Sequence, residues 1–224
     1  MNNKSFDAQR IAEGYAKRPW LHKGVMEQIK NDCNIGHLEN GLDVGCGAGL
    51  STKALRLICD SVTGTDISPE MIAVCNKLYD DESYRFYVAK AEDSKVPERP
   101  YDIITAAGVI NWVDREEFLS NTSKVLKKNG LMIIYDFWIT DKMIQNEEYT
   151  KWYQEQYLVK FPKPYRKENE WNQDDLAESF IMEKKVKYCL EYDFLIEDFV
   201  DFMMIQSNVN EVIEKGYMSV EEVK

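Results

Sequence analysis

The chain lacks most of what would mark an exported, membrane-spanning or nucleic-acid-gripping protein. No apolar run in its 224 residues reaches the roughly 18–20 that a membrane-spanning helix needs. The opening residues MNNKSFDAQR have no apolar signal core, so no export signal is expected. Its five cysteines (Cys33, Cys46, Cys59, Cys75 and Cys189) are odd in number, scattered and without CxxC spacing. That pattern argues against a disulfide frame and against a metal site, and for reduced thiols in the cytoplasm. Basic charge is also short: 28 Lys and Arg face 39 Asp and Glu, for a net charge of −11. A nucleic-acid partner usually demands a basic face, so small-molecule chemistry is the expectation. Repeats and low-complexity segments are missing too.

What is present is alternation. From about residue 41 to 138, apolar strand-like runs alternate with helical patterns. Residues 42–44 read as a first strand, and Leu50, Ala54 and Ile58 follow at helical spacing. Residues 61–67 read as a second strand. Ser68-Pro69 then offers an N-cap with proline at the first helical position, followed by Met71, Val74, Cys75 and Leu78 on one apolar face. Residues 84–89 and 101–107 read as strands three and four. Asp114 with Glu117 resembles a capping box, and the helix it opens should stop at Asn129-Gly130, before a fifth strand at 131–138. Such alternation predicts an α/β fold, a doubly wound and mostly parallel sheet with helices on both faces.

The stretch GLDVGCGAGL puts Gly45, Gly47 and Gly49 at alternate positions where the first strand hands over to a helix. Glycine inside an element costs roughly 0.5–1 kcal/mol relative to alanine, so three together suggest close approach of a ligand to the backbone. A tight strand-to-helix turn is the plainer alternative. In open parallel sheets ligands bind at the carboxyl ends of the strands, where the strand order reverses. The spacing is GxGxG, whereas a dinucleotide site wants GxGxxG. Asp66 ends the second strand about 20 residues on, where a carboxylate can accept both hydroxyls of a ribose; otherwise it is a turn acid before Ser68.

In combination these segments resemble the class I S-adenosylmethionine-dependent methyltransferases, over about residues 10–138. LDVGCGAG resembles the family's first motif, GTDISPEMI its second, VAKAEDSKVP its third, YDIITAAGVINWVD its fourth and VLKKNGLMIIYDFW its fifth. The resemblance implies S-adenosyl-L-methionine as cofactor and a binding set of Tyr15, Arg18, Asp43, Gly45, Cys46, Gly47, Asp66, Ile67, Met71, Ala91, Glu92 and Ala106. Within that set Asp66 takes the ribose place, Ile67 lies next to the adenine, and Ala91 and Glu92 border its edge. The YAKRP segment resembles one that closes over the methionine end. Two departures stand out: Lys90 replaces an acid common in relatives, and Asn111-Trp112 replaces a His-Trp pair that would have offered a base.

Methyl transfer from a sulfonium expels a neutral thioether, so no leaving-group acid is needed and positioning carries the work. The catalytic residue is left open, with Asn111, Tyr15 and Tyr135 as geometric candidates. His22 and His37 are expected at the surface, and Cys46 as a small packed residue. The expected organisation is a helical cap over 1–36, a cofactor-binding core over 37–138, an aromatic-rich acceptor lid over 139–182, and a sixth strand (183–192) with helices over 183–224. Tyr149, Trp152 and Tyr153 fall at helical spacing in that lid, which suits a packing stripe as well as a binding surface. A helix should carry Ile196, Phe199, Val200 and Met203 on one face, and Ser219 with Glu222 reads as a capping box that opens a further helix. The family implies a seventh strand for which no residues remain. A sheet of about six strands in a chain shortened relative to its full gene product is therefore expected. The leading function is methyl transfer to a small-molecule acceptor; the alternatives are an NAD-dependent dehydrogenase or a non-catalytic cofactor-binding protein.

Overall fold

The computed structural model describes residues 9–93, 100–163, 171–176 and 178–224, with side chains from residue 11 onward. Residues 94–97 of the third motif, and Pro164 and Tyr165 of the aromatic segment, lie outside them. The chain forms two compact units. One comprises Met1–Asp136 with Glu168–Tyr192, the other Phe137–Lys167 with Asp193–Lys224.

The first unit opens with α1 (Gln9–Ala16) and α2 (Leu21–Asp32), parted where Pro19 breaks the helix. Five strands follow, with helices between them: β1 (Leu38–Val44), α3 (Leu50–Leu55), β2 (Cys59–Asp66), α4 (Pro69–Leu78), β3 (Tyr84–Val88), β4 (Tyr101–Ala107), α5 (Arg115–Val125) and β5 (Leu126–Tyr135). All pairings are parallel and the order is β3-β2-β1-β4-β5, so the order reverses between β1 and β4.

Alternation along β1 and β4 sorts residues to the two faces of the sheet. Leu42, Val44, Ile104 and Ala106 pack with Phe118 and Leu119 of α5 in one cluster. On the other face, a Cβ at Gly41 would meet Leu55 of α3 at 2.7 Å, so only glycine lets α3 lie that close. Each fully buried Phe or Leu contributes roughly 1.5–3 kcal/mol, which makes the α5 cluster a principal anchor of the sheet. Helix starts follow the sequence signals. Ser68 caps α4 by accepting from the Met71 N–H, and Asp114 caps α5 by accepting from the Glu117 N–H.

Expectations for the end of the sheet need correction. The fifth strand begins at Leu126 rather than 131 and ends at Tyr135; a register irregularity between Tyr101 and Ile103 of β4 absorbs the Lys127–Gly130 stretch, where Asn129 has φ +63°. Trp138, expected inside that strand, is 62% exposed. The sixth strand at 183–192 does not form, so the sheet has five strands among the described residues, not six. Its apolar alternation finds no ladder, and Val186, Leu190 and Tyr192 are exposed.

The second unit is helical: α6 (Glu147–Trp152), a π-helical turn (Tyr153–Tyr157), α7 (Leu158–Lys160), α8 (Ile196–Met204), α9 (Ser207–Glu214) and α10 (Val220–Val223). Tyr149, Tyr153, Tyr157 and Phe161, four residues apart, form a buried aromatic row with Met203 and Val209. Packing is therefore one role of this stripe. Ser219 and Glu222 make the expected reciprocal capping box. On α8 the buried face is Phe202, Met203 and Met204; Ile196, expected on it, is 83% exposed.

Candidate functional site: the carboxyl edge of the sheet

The glycine loop leaves β1 beside the point where the strand order reverses. Gly45, Gly47 and Gly49 have φ of +67°, +52° and +87°, a region that side chains disfavour. Sterics separate the three. A Cβ at Gly45 would lie 2.2 Å from Val109, and one at Gly49 would lie 2.5 Å from Tyr79. At Gly47 the nearest atom would be Tyr15 Cδ1 at 4.0 Å, so that stretch of backbone stands open to an incoming group.

Asp66, at the end of β2, reaches across to this loop. Its Oδ2 accepts from the Gly47 N–H at 2.9 Å, and its Oδ1 from the Ser68 N–H at 2.9 Å. One carboxylate therefore ties the loop to the start of α4 and stays at the sheet edge beside Ile67, which is 52% exposed.

Asp43 is placed differently. It is fully buried; its Oδ2 accepts from Ser51 Oγ at 2.6 Å and Thr52 Oγ1 at 2.7 Å, and its Oδ1 from Thr105 Oγ1 at 2.9 Å. It clamps the loop between α3 and β4 from beneath. Burial pushes its pKa up to about 6 despite the three hydroxyl donors, and the Asp66 charge adds to the rise. Cys46 is buried, donates its N–H to the Thr65 carbonyl at 2.8 Å, and has its thiol pKa raised by burial. Cys75 Sγ donates to the Gly47 carbonyl at 3.2 Å, a contact that holds the peptide unit following the one Asp66 binds.

The N-terminal segment lies over the loop. Tyr15 neighbours Gly47, the Arg18 guanidinium stacks 3.6 Å from the Tyr15 ring centroid, and Trp20 Nε1 donates to the Leu50 carbonyl at 2.9 Å. Burial lowers the Arg18 pKa, with Tyr15 opposing. His22 corrects an expectation. Far from being a plain surface residue, it is half-buried, and its Nδ1 shares a 2.8 Å hydrogen bond with the Tyr135 hydroxyl at the end of β5. Burial, aided by Arg18, drives the His22 pKa down to about 3, so the imidazole is neutral at physiological pH. Burial also raises the Tyr135 pKa, with Asp43 adding to it. His37 is exposed, paired with Asp60 at 2.6 Å.

The remaining candidates spread around this edge. Met71 is buried with Ile11, Ala12 and Ala48, so its side chain joins α4 to α1. Ala106 is buried in the α5 cluster and Ala91 packs against that cluster. Glu92 Oε1 accepts from the Asp114 N–H at 3.0 Å, which steadies the start of α5. The sequence reading missed the Ser51, Thr52 and Thr105 clamp on Asp43 and the His22–Tyr135 pair. Two consecutive hydroxyl residues right after the glycine loop were the one available signal.

Comparison with known proteins fits this arrangement. A family model described as a methyltransferase domain matches residues 42–134. An uncharacterized methyltransferase of Schizosaccharomyces pombe is 27% identical over 51% of this chain and 45% of its own length. A ubiquinone biosynthesis O-methyltransferase of Bradyrhizobium diazoefficiens is 36% identical over 42% of this chain and 38% of its own. The chain thus spans less than half the length of these two relatives. A Dictyostelium discoideum protein named for methyltransferase activity matches 94% of this chain and 80% of its own length at 25% identity. A solved structure from Anaeromyxobacter dehalogenans, titled as a type II methyltransferase, superposes with a TM-score of 0.62 over 90% of this chain and 84% of its own at 16% identity, a likeness of fold. A five-stranded parallel sheet, a glycine loop at its switch point and a matching family model together make one identification: residues 42–134 carry a methyltransferase domain.

Proposed function

We propose that the chain binds S-adenosylmethionine at the carboxyl edge of its sheet and transfers the methyl group to a small-molecule acceptor. The observation that carries this is the link between Gly47 and Asp66. It sets an open, left-handed glycine backbone beside a carboxylate whose position suits a ribose diol. The cofactor supplies an electrophilic methyl on a sulfonium; the chain supplies placement. Asp66 is the ribose acceptor, Ile67 and the Ala91–Glu92 turn border the base, and Gly45–Gly47 carries the methionyl portion. Asp43, Cys46 and Met71 act from below by fixing the loop and α4, while Tyr15 and Arg18 cover it.

An in-line displacement gains most from holding acceptor and methyl at attack distance, an effect of roughly 7–11 kcal/mol. Tyr135 is the candidate to touch the acceptor, because His22 holds its hydroxyl at the end of β5. The net charge of −11 favours a small molecule over a nucleic acid as acceptor. On its sequence chemistry alone, the aromatic segment 139–182 is the candidate to select that acceptor. Titration calorimetry tests the cofactor: S-adenosylmethionine should bind and NAD should not. Asp66→Ala should weaken binding roughly ten- to hundredfold, the loss of about 1.5–3 kcal/mol from a charged hydrogen-bond acceptor. An unchanged Kd in a folded variant refutes the ribose role, and a mass-spectrometric search for methylated products in a metabolite extract separates enzyme from binding protein.

A further inference from the structure

The second unit holds a cavity that the reading above does not use. It measures about 320 Å³ and is lined by Asn146, Glu148, Tyr149, Trp152 and Phe199. That volume is at the small end of ligand sites.

Its wall is built from α6 and α8. Asn146 caps α6, its Oδ1 accepting from the Tyr149 N–H at 3.2 Å. Tyr149 and Trp152, three residues apart, then share one side of the helix, with ring centroids 5.6 Å apart. Phe199 comes from α8 and meets Tyr149 edge-on at 6.1 Å. Three rings thus converge on one space, and the exposed carboxylate-bearing Glu148 stands at its rim. Tyr149 is buried, and its hydroxyl makes no hydrogen bond among the described residues. Burial and the neighbouring Tyr153, Tyr157 and Asp141 raise its pKa, so the ring stays a neutral phenol.

The lining chemistry selects a ligand by charge. Aromatic faces carry the negative end of a quadrupole and attract cations. Among the described residues the lining holds one acid and no base. An anion would meet Glu148, and a purely apolar ligand would leave that carboxylate without a role. An ammonium whose charge is spread over alkyl groups satisfies both the rings and the acid. Rings of the same row already sit beside ammonium groups: Lys163 Nζ is 5.6 Å from the Tyr153 centroid and Lys160 Nζ is 5.5 Å from that of Phe161.

We propose that the Tyr149–Trp152–Phe199 cavity binds a small alkylated ammonium ligand, of the size of choline, with Glu148 as its counter-charge. The test uses the full chain without cofactor, so its outcome is independent of whether the chain transfers methyl groups. Choline is titrated by calorimetry and by nuclear magnetic resonance. The control ligand is its neutral carbon isostere, in which a tert-butyl group replaces the trimethylammonium. Choline should bind saturably and about tenfold or more tighter than the isostere. Glu148→Gln, a change on an exposed side chain, should cut choline affinity several-fold and leave the isostere unaffected. Trp152→Leu and Phe199→Leu should each abolish the preference for the cation while circular dichroism shows the helices intact. Equal binding of the two ligands, no saturable choline binding, or an unchanged choline affinity in Glu148→Gln overturns the proposal.

Discussion

Asp43 offers the sharpest test of how the glycine loop is held. Its carboxylate is fully buried and accepts from three hydroxyls, yet its pKa sits at about 6, up from 3.8. Desolvation therefore outweighs the hydrogen bonds. Because the folded pKa lies above the unfolded one, the contribution of this group is fully present below about pH 4. It is lost as pH rises through about 6. A rise of about two units at about 1.4 kcal/mol each gives about 3 kcal/mol of destabilisation at neutral pH from keeping Asp43 charged. Asp43→Asn has the same shape and no charge. Its Oδ1 can accept from Ser51 and Thr52, and its amide can donate to Thr105 Oγ1, which then turns toward the Leu42 carbonyl 3.4 Å away. The stability of Asp43→Asn minus wild type, from urea unfolding, should grow by about 2 kcal/mol between pH 4.5 and 7.5. Taking the difference removes the other titrating groups. Asp43→Ala should lose stability at every pH, since it takes the acceptor from the buried Ser51 and Thr52 hydroxyls, at about 1–3 kcal/mol for each left unpaired. A wild-type to Asn difference that does not change with pH would refute the raised pKa and the burial that causes it.

What the sequence made legible was local. Three glycines that need positive φ, a Ser-Pro at a helix start and an apolar face at helical spacing each act within a few residues. The structure returns them at Gly45–Gly49, Ser68 and α4. The parallel pairing follows from the alternation of strands and helices, because a strand that returns through a helix can lie parallel to the one before it. The misreadings all depend on partners far along the chain. β1 begins at Leu38, ahead of the apolar run, because Leu38 pairs with Cys59 and Asn40 with Ser61, although Glu39 and Asn40 are polar. Residues 183–192 carry strand-like alternation, yet a strand exists only where a ladder accepts it, and none does. The His22–Tyr135 bond spans 113 residues and the Cys75–Gly47 contact 28, so nothing near either residue announces it. The catalytic set stayed open for the same reason: motif spacing speaks to a loop and its neighbours, while a pocket for a second molecule depends on tertiary arrangement.

Gly45→Ala should lower thermal stability more than Gly47→Ala, because the added methyl meets Val109 at 2.2 Å in the first case and finds its nearest atom at 4.0 Å in the second; equal losses of stability would refute the steric distinction. His22 should show no protonation by nuclear magnetic resonance above pH 5, since its folded pKa is about 3. Its depressed pKa adds stability that is fully present above the unfolded value near 6.5 and is lost as pH falls toward 3. His22→Gln should therefore flatten the acid limb of the stability curve, and an unchanged limb would count against a buried neutral imidazole. The last test concerns the second unit. Tyr157 donates its hydroxyl to Asn208 Oδ1 at 3.3 Å, and Asn208 Nδ2 donates to the Phe161 carbonyl at 2.7 Å. Asn208 is thus a buried clip between α9 and the end of α7. Tyr157→Phe keeps the ring in the aromatic row and strands one acceptor, at a cost of about 1 kcal/mol. Asn208→Leu strands both the phenol and the Phe161 carbonyl and should cost about twice that or more. In the double variant the two losses should fall short of adding, because the Tyr157 bond is already gone once Asn208 is replaced. Full additivity in a double-mutant cycle would show that these two side chains do not act through one hydrogen-bonded unit.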